Sequence, residues 1–189
     1  MAPHVCPWWL GYVLVNPLRR LLQDPRRLLE PFVSEGMTVL EPGPGMGYFT
    51  LELARRVGAR GRVVAVDIQP RMLKSLRRRA EKTGLAERID ARLASAEGMG
   101  LDDLAGGVDF ALVFAMVHEL PDIPAFFREL ARAMKPGGKL LLAEPRGHVS
   151  TADFDKELAL AEQAGFRVAD RPTIRRSLTA VLVRVPEAA

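Results

Sequence analysis

The first chemical signal lies in one short stretch. Glu41-Pro42-Gly43-Pro44-Gly45-Met46-Gly47 places an acid and three glycines at alternate positions. Thr38-Val39-Leu40-Glu41 reads as a short buried strand that leads into the glycines. Tyr48 to Val57 after them reads as a helix closed by Gly58. Glycine suits such a junction because the chain turns sharply there and a ligand can reach the main chain without meeting a Cβ. Asp67 follows twenty residues after Gly47, as the last residue of a second strand, Arg62 to Asp67. A carboxylate in that place can accept hydrogen bonds from both hydroxyls of a ribose; a cap for the next helix is the lesser alternative. The pair suits a cofactor that carries a nucleoside. The dinucleotide form G-x-G-x-x-G would need a third glycine at position 48, where Tyr48 stands.

A second group could move protons. His118 and Glu119 follow a strongly apolar run, Val108 to Met116, and Glu144, Arg146 and His148 follow another, Lys139 to Glu144. Histidine can act as a base near neutral pH. It can also be a loop residue bonded to backbone. His4, Cys6, His118 and His148 show no metal-ligand spacing, so no metal is expected.

These residues need elements to position them. The helix after Pro70 turns Met72, Leu73, Leu76 and Ala80 to one side and closes at Gly84. A third strand is expected over 89–93. A helix opens at Pro124, a turn falls at Pro136-Gly137-Gly138, and a helix runs from Ser150 to Gly165. Two strands end the chain, near 166–170 and 178–185. Such alternation predicts an α/β fold, a Rossmann-like doubly wound sheet of about seven mostly parallel strands with helices on both faces. Ligands of such sheets bind beyond the carboxyl ends of the strands.

Composition sets the outer bounds. The 189 residues are 48% hydrophobic and 26% charged, which suits a globular chain and argues against disorder. The formal charge of +4 is mildly basic. Its densest run, Arg77-Arg78-Arg79, falls on a helix face, and no stable nucleic-acid partner is expected. One cysteine, Cys6, cannot form an internal disulfide, which favours a reducing, cytoplasmic setting. The apolar stretch Val5 to Val15 is too short to span a bilayer, so integral membrane association is not expected. A homodimer is allowed.

From about Gly36 to Gly147 the chain resembles the class I S-adenosylmethionine-dependent methyltransferases. The resemblance rests on Glu41-x-Gly43-x-Gly45-x-Gly47, on Asp67, and on Ser95-Ala96-Glu97 after the third strand. It continues in Val108-Asp109-Phe110 through His118-Glu119-Leu120-Pro121-Asp122 and in Lys135-Pro136-Gly137-Gly138 through Leu142. It implies the strand order 3-2-1-4-5-7-6 with an antiparallel last strand. It also implies S-adenosyl-L-methionine as cofactor and S-adenosyl-L-homocysteine as product.

Gly43 and Gly45, in the loop that Gly47 completes, would then lie along the methionyl part. Glu41 would take its amino group, Asp67 the ribose, and Ile68 would flank the adenine. Ser95, Ala96 and Glu97 would surround the adenine. The family often has Asp where this chain has Ser95, so Glu97 or backbone groups would make that contact. His118 and His148 become candidate bases beside the transferred methyl group, with Glu144 as an acceptor contact. Trp8, Trp9 and Tyr12 would form an aromatic wall in a helical N-terminal cover, residues 1–31. The expectation is one methyltransferase domain over 1–189 acting on a small-molecule acceptor. An RNA or protein methyltransferase, or a non-catalytic cofactor-binding domain, is the alternative. Phe114-Ala115-Met116-Val117-His118 does not match the Asn-Pro-Pro-Tyr form of nucleic-acid amino-methylating enzymes.

Overall fold

The structure, a computed structural model, describes residues 23–95 and 98–186. Trp8, Trp9, Tyr12, Ala96 and Glu97 lie outside the described residues, as does most of the expected N-terminal cover. The described residues group into two compact units, divided at Met99–Gly100.

The first unit opens with a one-turn helix, α1 (Pro25–Leu29), capped by the Asp24 side chain, which accepts from the Arg26 amide. β1 (Thr38–Pro42), α2 (Thr50–Val57), β2 (Arg62–Asp67), α3 (Pro70–Lys82) and β3 (Ile89–Leu93) follow. The strands are parallel, with Leu40 beside Val64 and Ala65 beside Ala91. Parallel pairing requires a crossover helix between strands, and α2 and α3 supply it. β1 and β2 bury Val39, Leu40, Val63, Val64 and Ala65 completely. A strand covered on both faces reads as a continuous apolar run, as these do. α2 turns Leu53, Ala54 and Val57 inward, and α3 turns Leu73 and Leu76.

The second unit holds β4 (Val108–Phe114), α4 (Ile123–Ala133), β5 (Met134–Pro145), α5 (Thr151–Gln163), β6 (Phe166–Asp170) and β7 (Ser177–Arg184). β4 and β5 are parallel; β7 runs antiparallel to both β5 and β6. Asp122 caps α4 through the Ala125 amide at 2.8 Å, and Ser150 caps α5 through the Asp153 amide at 3.1 Å. Phe110, Phe127, Leu130, Leu141, Phe154 and Leu182 form the unit's core. The sheet order is β3-β2-β1-β4-β5-β7-β6. Seven strands, mostly parallel with β7 reversed, give the Rossmann-like architecture the sequence predicts.

Two differences from the sequence reading fall in β4 and β5. The turn expected at Pro136-Gly138 lies within β5. Val108 pairs with Met134 and Phe110 already pairs with Lys139, so the extra residues are absorbed as an irregularity in the strand. β4 ends at Phe114 rather than Met116, because Ala115 adopts φ +57° and turns the chain out of the sheet. Among the described residues no helix is long and apolar enough to cross a membrane.

Candidate active site

In the first unit, β1 delivers Glu41 to the start of the glycine loop. Glu41 is 3% exposed, and its Oε2 has no hydrogen-bond partner. Burial, opposed by the Thr50 hydroxyl and helped by the Asp67 charge, pushes this carboxyl up to about 8. A buried carboxyl oxygen without a partner is costly, and a bound cation would relieve the cost. Thr50, at the start of α2, is fully buried with its hydroxyl beside the Glu41 carboxyl. The sequence reading did not single it out; a hydroxyl residue three positions past the last glycine is the available signal.

Gly45 and Gly47 both have positive φ, +54° and +83°, a region that strains other residues. Their surroundings differ. Nothing lies within 4 Å of a Cβ built on Gly45, so its main chain faces open space. A Cβ on Gly47 would collide with the Leu76 side chain. Gly45 therefore leaves room for a ligand, while Gly47 lets the loop pack against α3. Gly43 is exposed at the loop's outer edge.

Asp67 ends β2 and is 8% exposed. Its Oδ2 accepts from the Gly45 amide at 3.1 Å and its Oδ1 from the Gln69 amide at 2.8 Å. The carboxylate is thus held in one orientation by the glycine loop and by the turn into α3. Ile68 beside it is 56% exposed, a large apolar side chain facing outward. Ser95 is exposed, and its amide donates to the Gly98 carbonyl at 3.0 Å.

In the second unit, Glu144 near the end of β5 is fully buried. Its Oε1 accepts from the amides of Met116 and Val117, each at 3.0 Å. The left-handed turn at Ala115 aims both amides at it. His118 Nδ1 donates to Glu144 Oε2. Glu144 was expected against the acceptor. In the structure both its oxygens are engaged, one by the two amides and the other by His118. A carboxylate at Nδ1 fixes the tautomer and leaves Nε2 as the basic nitrogen. The bond, helped by the charges of Glu144, Glu119 and Glu157 and opposed by burial, raises the His118 pKa above its ordinary 6.5. The His118 side chain is 20% exposed. His148 is exposed and meets the His118 ring edge-on, with centroids 5.7 Å apart.

Glu157 on α5 was not foreseen. It is 4% exposed with Oε2 unpartnered, and burial, then the charge of Glu144, pushes it up to about 8. Its signal in sequence is an acid three residues after Phe154, on the helix's inward face. Among the described residues no cluster of His, Cys, Asp and Glu could hold a metal.

These features fit a cofactor with a cationic amino-acid tail and a ribose: a buried carboxyl with Oε2 unpartnered, open main chain at Gly45, and an oriented carboxylate at Asp67. A protein-family model described as a methyltransferase domain matches residues 33–173. The chain belongs to that methyltransferase family. This methyltransferase domain is 34% identical over 142 residues to a ubiquinone biosynthesis O-methyltransferase of Xanthomonas axonopodis pv. citri, covering 72% of this chain and 55% of that protein. It is 34% identical over 112 residues to a ubiquinone/menaquinone biosynthesis C-methyltransferase of Idiomarina loihiensis, covering 59% of this chain and 44% of that protein. The chain thus spans about half the length of these curated relatives. A solved SAM-dependent methyltransferase from Aquifex aeolicus superposes with TM-score 0.83 at 27% identity, covering 95% of this chain and 98% of that one.

Proposed function

We propose that this domain transfers a methyl group from S-adenosyl-L-methionine to a hydroxyl of a small aromatic acceptor. The carrying observation is the buried Glu41 carboxyl, with Oε2 unpartnered, at the head of a loop whose main chain lies open at Gly45. Glu41 holds the cofactor's amino group, Gly43 and Gly45 its amino-acid tail, and Asp67 its ribose. Ile68 covers one face of the adenine, with Ser95, Ala96 and Glu97 at its edge. The bound cofactor supplies an electrophilic methyl group on a sulfonium, which departs as a neutral thioether.

The protein's task is to orient the acceptor, exclude water and remove one proton. His118 Nε2 takes the acceptor's hydroxyl proton as the new oxygen–carbon bond forms. Glu144 stabilises the resulting imidazolium through Nδ1. His148 steadies the His118 ring. Trp8, Trp9 and Tyr12 serve as the aromatic wall, within a chain that works as one domain. The ubiquinone-named relatives, one an O- and one a C-methyltransferase, support a phenolic ring as acceptor class. The mildly basic, cysteine-poor composition supports a cytoplasmic setting.

The test is transfer of labelled methyl to a panel of mono- and dihydroxybenzoates and polyprenyl phenols. Turnover of at least one phenol, lost in His118→Gln with cofactor affinity kept, supports the reading. Cofactor binding with no transfer to any phenol would overturn the acceptor class.

A further inference from the structure

A hollow of about 350 Å³ lies among α1, α2 and α3, lined in part by Tyr48, Leu51, Arg55, Arg79 and Lys82. That size is at the small end of ligand pockets. Its walls also carry Asp24, Arg26 and Glu52, so four cationic side chains face two carboxylates. Both carboxylates are already engaged. Asp24 caps α1 and pairs with Arg27 at 4.0 Å. Glu52 is shared by Arg26 at 4.0 Å, Arg55 at 3.3 Å and Arg56 at 3.4 Å.

Arg79 and Lys82 have no carboxylate partner among the described residues. For Arg79 this is notable because its side chain is partly buried, and charges taken from water are normally paired. Among the described residues its guanidinium donates to a neutral group, the Met46 carbonyl. That bond anchors the guanidinium without neutralising it. Burial, and then the nearby Arg55 charge, lower the Arg79 pKa, so the two guanidiniums repel. A guanidinium held in place beside a second one and an ammonium is a preorganised receptor for a compact dianion. Tyr48 and Leu51 offer a less polar wall for an attached organic group.

We infer that this hollow is a second ligand site, for the phosphate of a small phosphorylated molecule, held between Arg55, Arg79 and Lys82. The same chemistry could come from a nucleic-acid backbone. The hollow's small volume favours the small molecule.

Pyrophosphate is the probe, titrated calorimetrically into the full chain at constant ionic strength, with sodium chloride as control and a single-stranded RNA oligonucleotide as the second arm. Binding of pyrophosphate, weakened at least tenfold in Arg55→Ala/Lys82→Ala, is the expected result. Lys82 is exposed, so Lys82→Glu alone should keep the wild-type melting temperature and still weaken binding. No pyrophosphate binding beyond the chloride control, or undiminished binding in both variants, overturns the proposal. So does binding of the oligonucleotide alone.

Discussion

The Gly45 amide donates to Asp67 Oδ2 across 3.1 Å and so ties the loop after β1 to the end of β2. One carboxylate thereby shapes the glycine loop and is itself aimed. Asp67→Ala removes the tie and the proposed ribose acceptor together. Bonds to charged groups contribute about 1.5–3 kcal/mol each, so S-adenosyl-L-homocysteine should bind about 10- to 100-fold more weakly, read by calorimetry. Unchanged affinity would remove Asp67 from the site.

The two inner glycines should separate in their effects. Gly47→Ala drives a Cβ into Leu76, and thermal unfolding should show a loss of about 2 kcal/mol or more. Gly45→Ala meets only the cost of a left-handed backbone, about 1–2 kcal/mol, because the space over it is open. Its larger effect should fall on cofactor affinity. Equal losses of stability and no loss of affinity in Gly45→Ala would contradict the division of roles.

Glu41 gives a pH signature. Its carboxyl sits at about 8 in the folded protein against 4.5 ordinarily. The folded state therefore holds a proton that the unfolded state has released across that window. The stability this contributes is complete below 4.5 and is lost as pH rises through about 8. The slope from one such group is about 1.4 kcal/mol per pH unit. Glu157, raised to a similar value, acts with the same sign. Denaturant unfolding of the cofactor-free protein should show stability falling from acid to mildly alkaline pH. Glu41→Gln should flatten part of that slope; an unaltered slope would contradict the assignment.

The proposed base role of His118 requires a neutral ring, and its pKa is raised. Transfer to a phenol should therefore rise with pH along a limb displaced above 6.5. Glu144→Gln keeps an oxygen for the Met116 and Val117 amides but turns an NH2 toward Nδ1. The ring proton then moves to Nε2, and kcat should fall about 100-fold or more with KM little changed. Full activity in Glu144→Gln would end the proposed role of the pair.

Some of this was legible from sequence and some was not. The glycine loop and Asp67 could be read because each follows directly on its own strand, and an apolar run ending in an acid survives without tertiary information. The pairing of His118 with Glu144 could not. The two are 26 residues apart, and they meet only through the register of β4 and β5, where Phe114 lies beside Ala143. That register is displaced by the irregularity at Lys135–Gly138, which looked like a plain turn. Glu157 stayed hidden because one acid on a helix reads as surface until the packing shows which face is buried.

In the proposed cofactor mode, the glycine loop and Glu41 receive a cationic amino-acid tail. Titrating S-adenosyl-L-homocysteine at pH 7 in two buffers of different ionisation enthalpy tests it most directly. Glu41 should lose its proton as the ammonium binds, so the wild-type protein should bind and release about one proton. Glu41→Gln should bind more weakly and release none. No binding by the wild-type protein, or equal affinity and equal proton release in the variant, would contradict the claim.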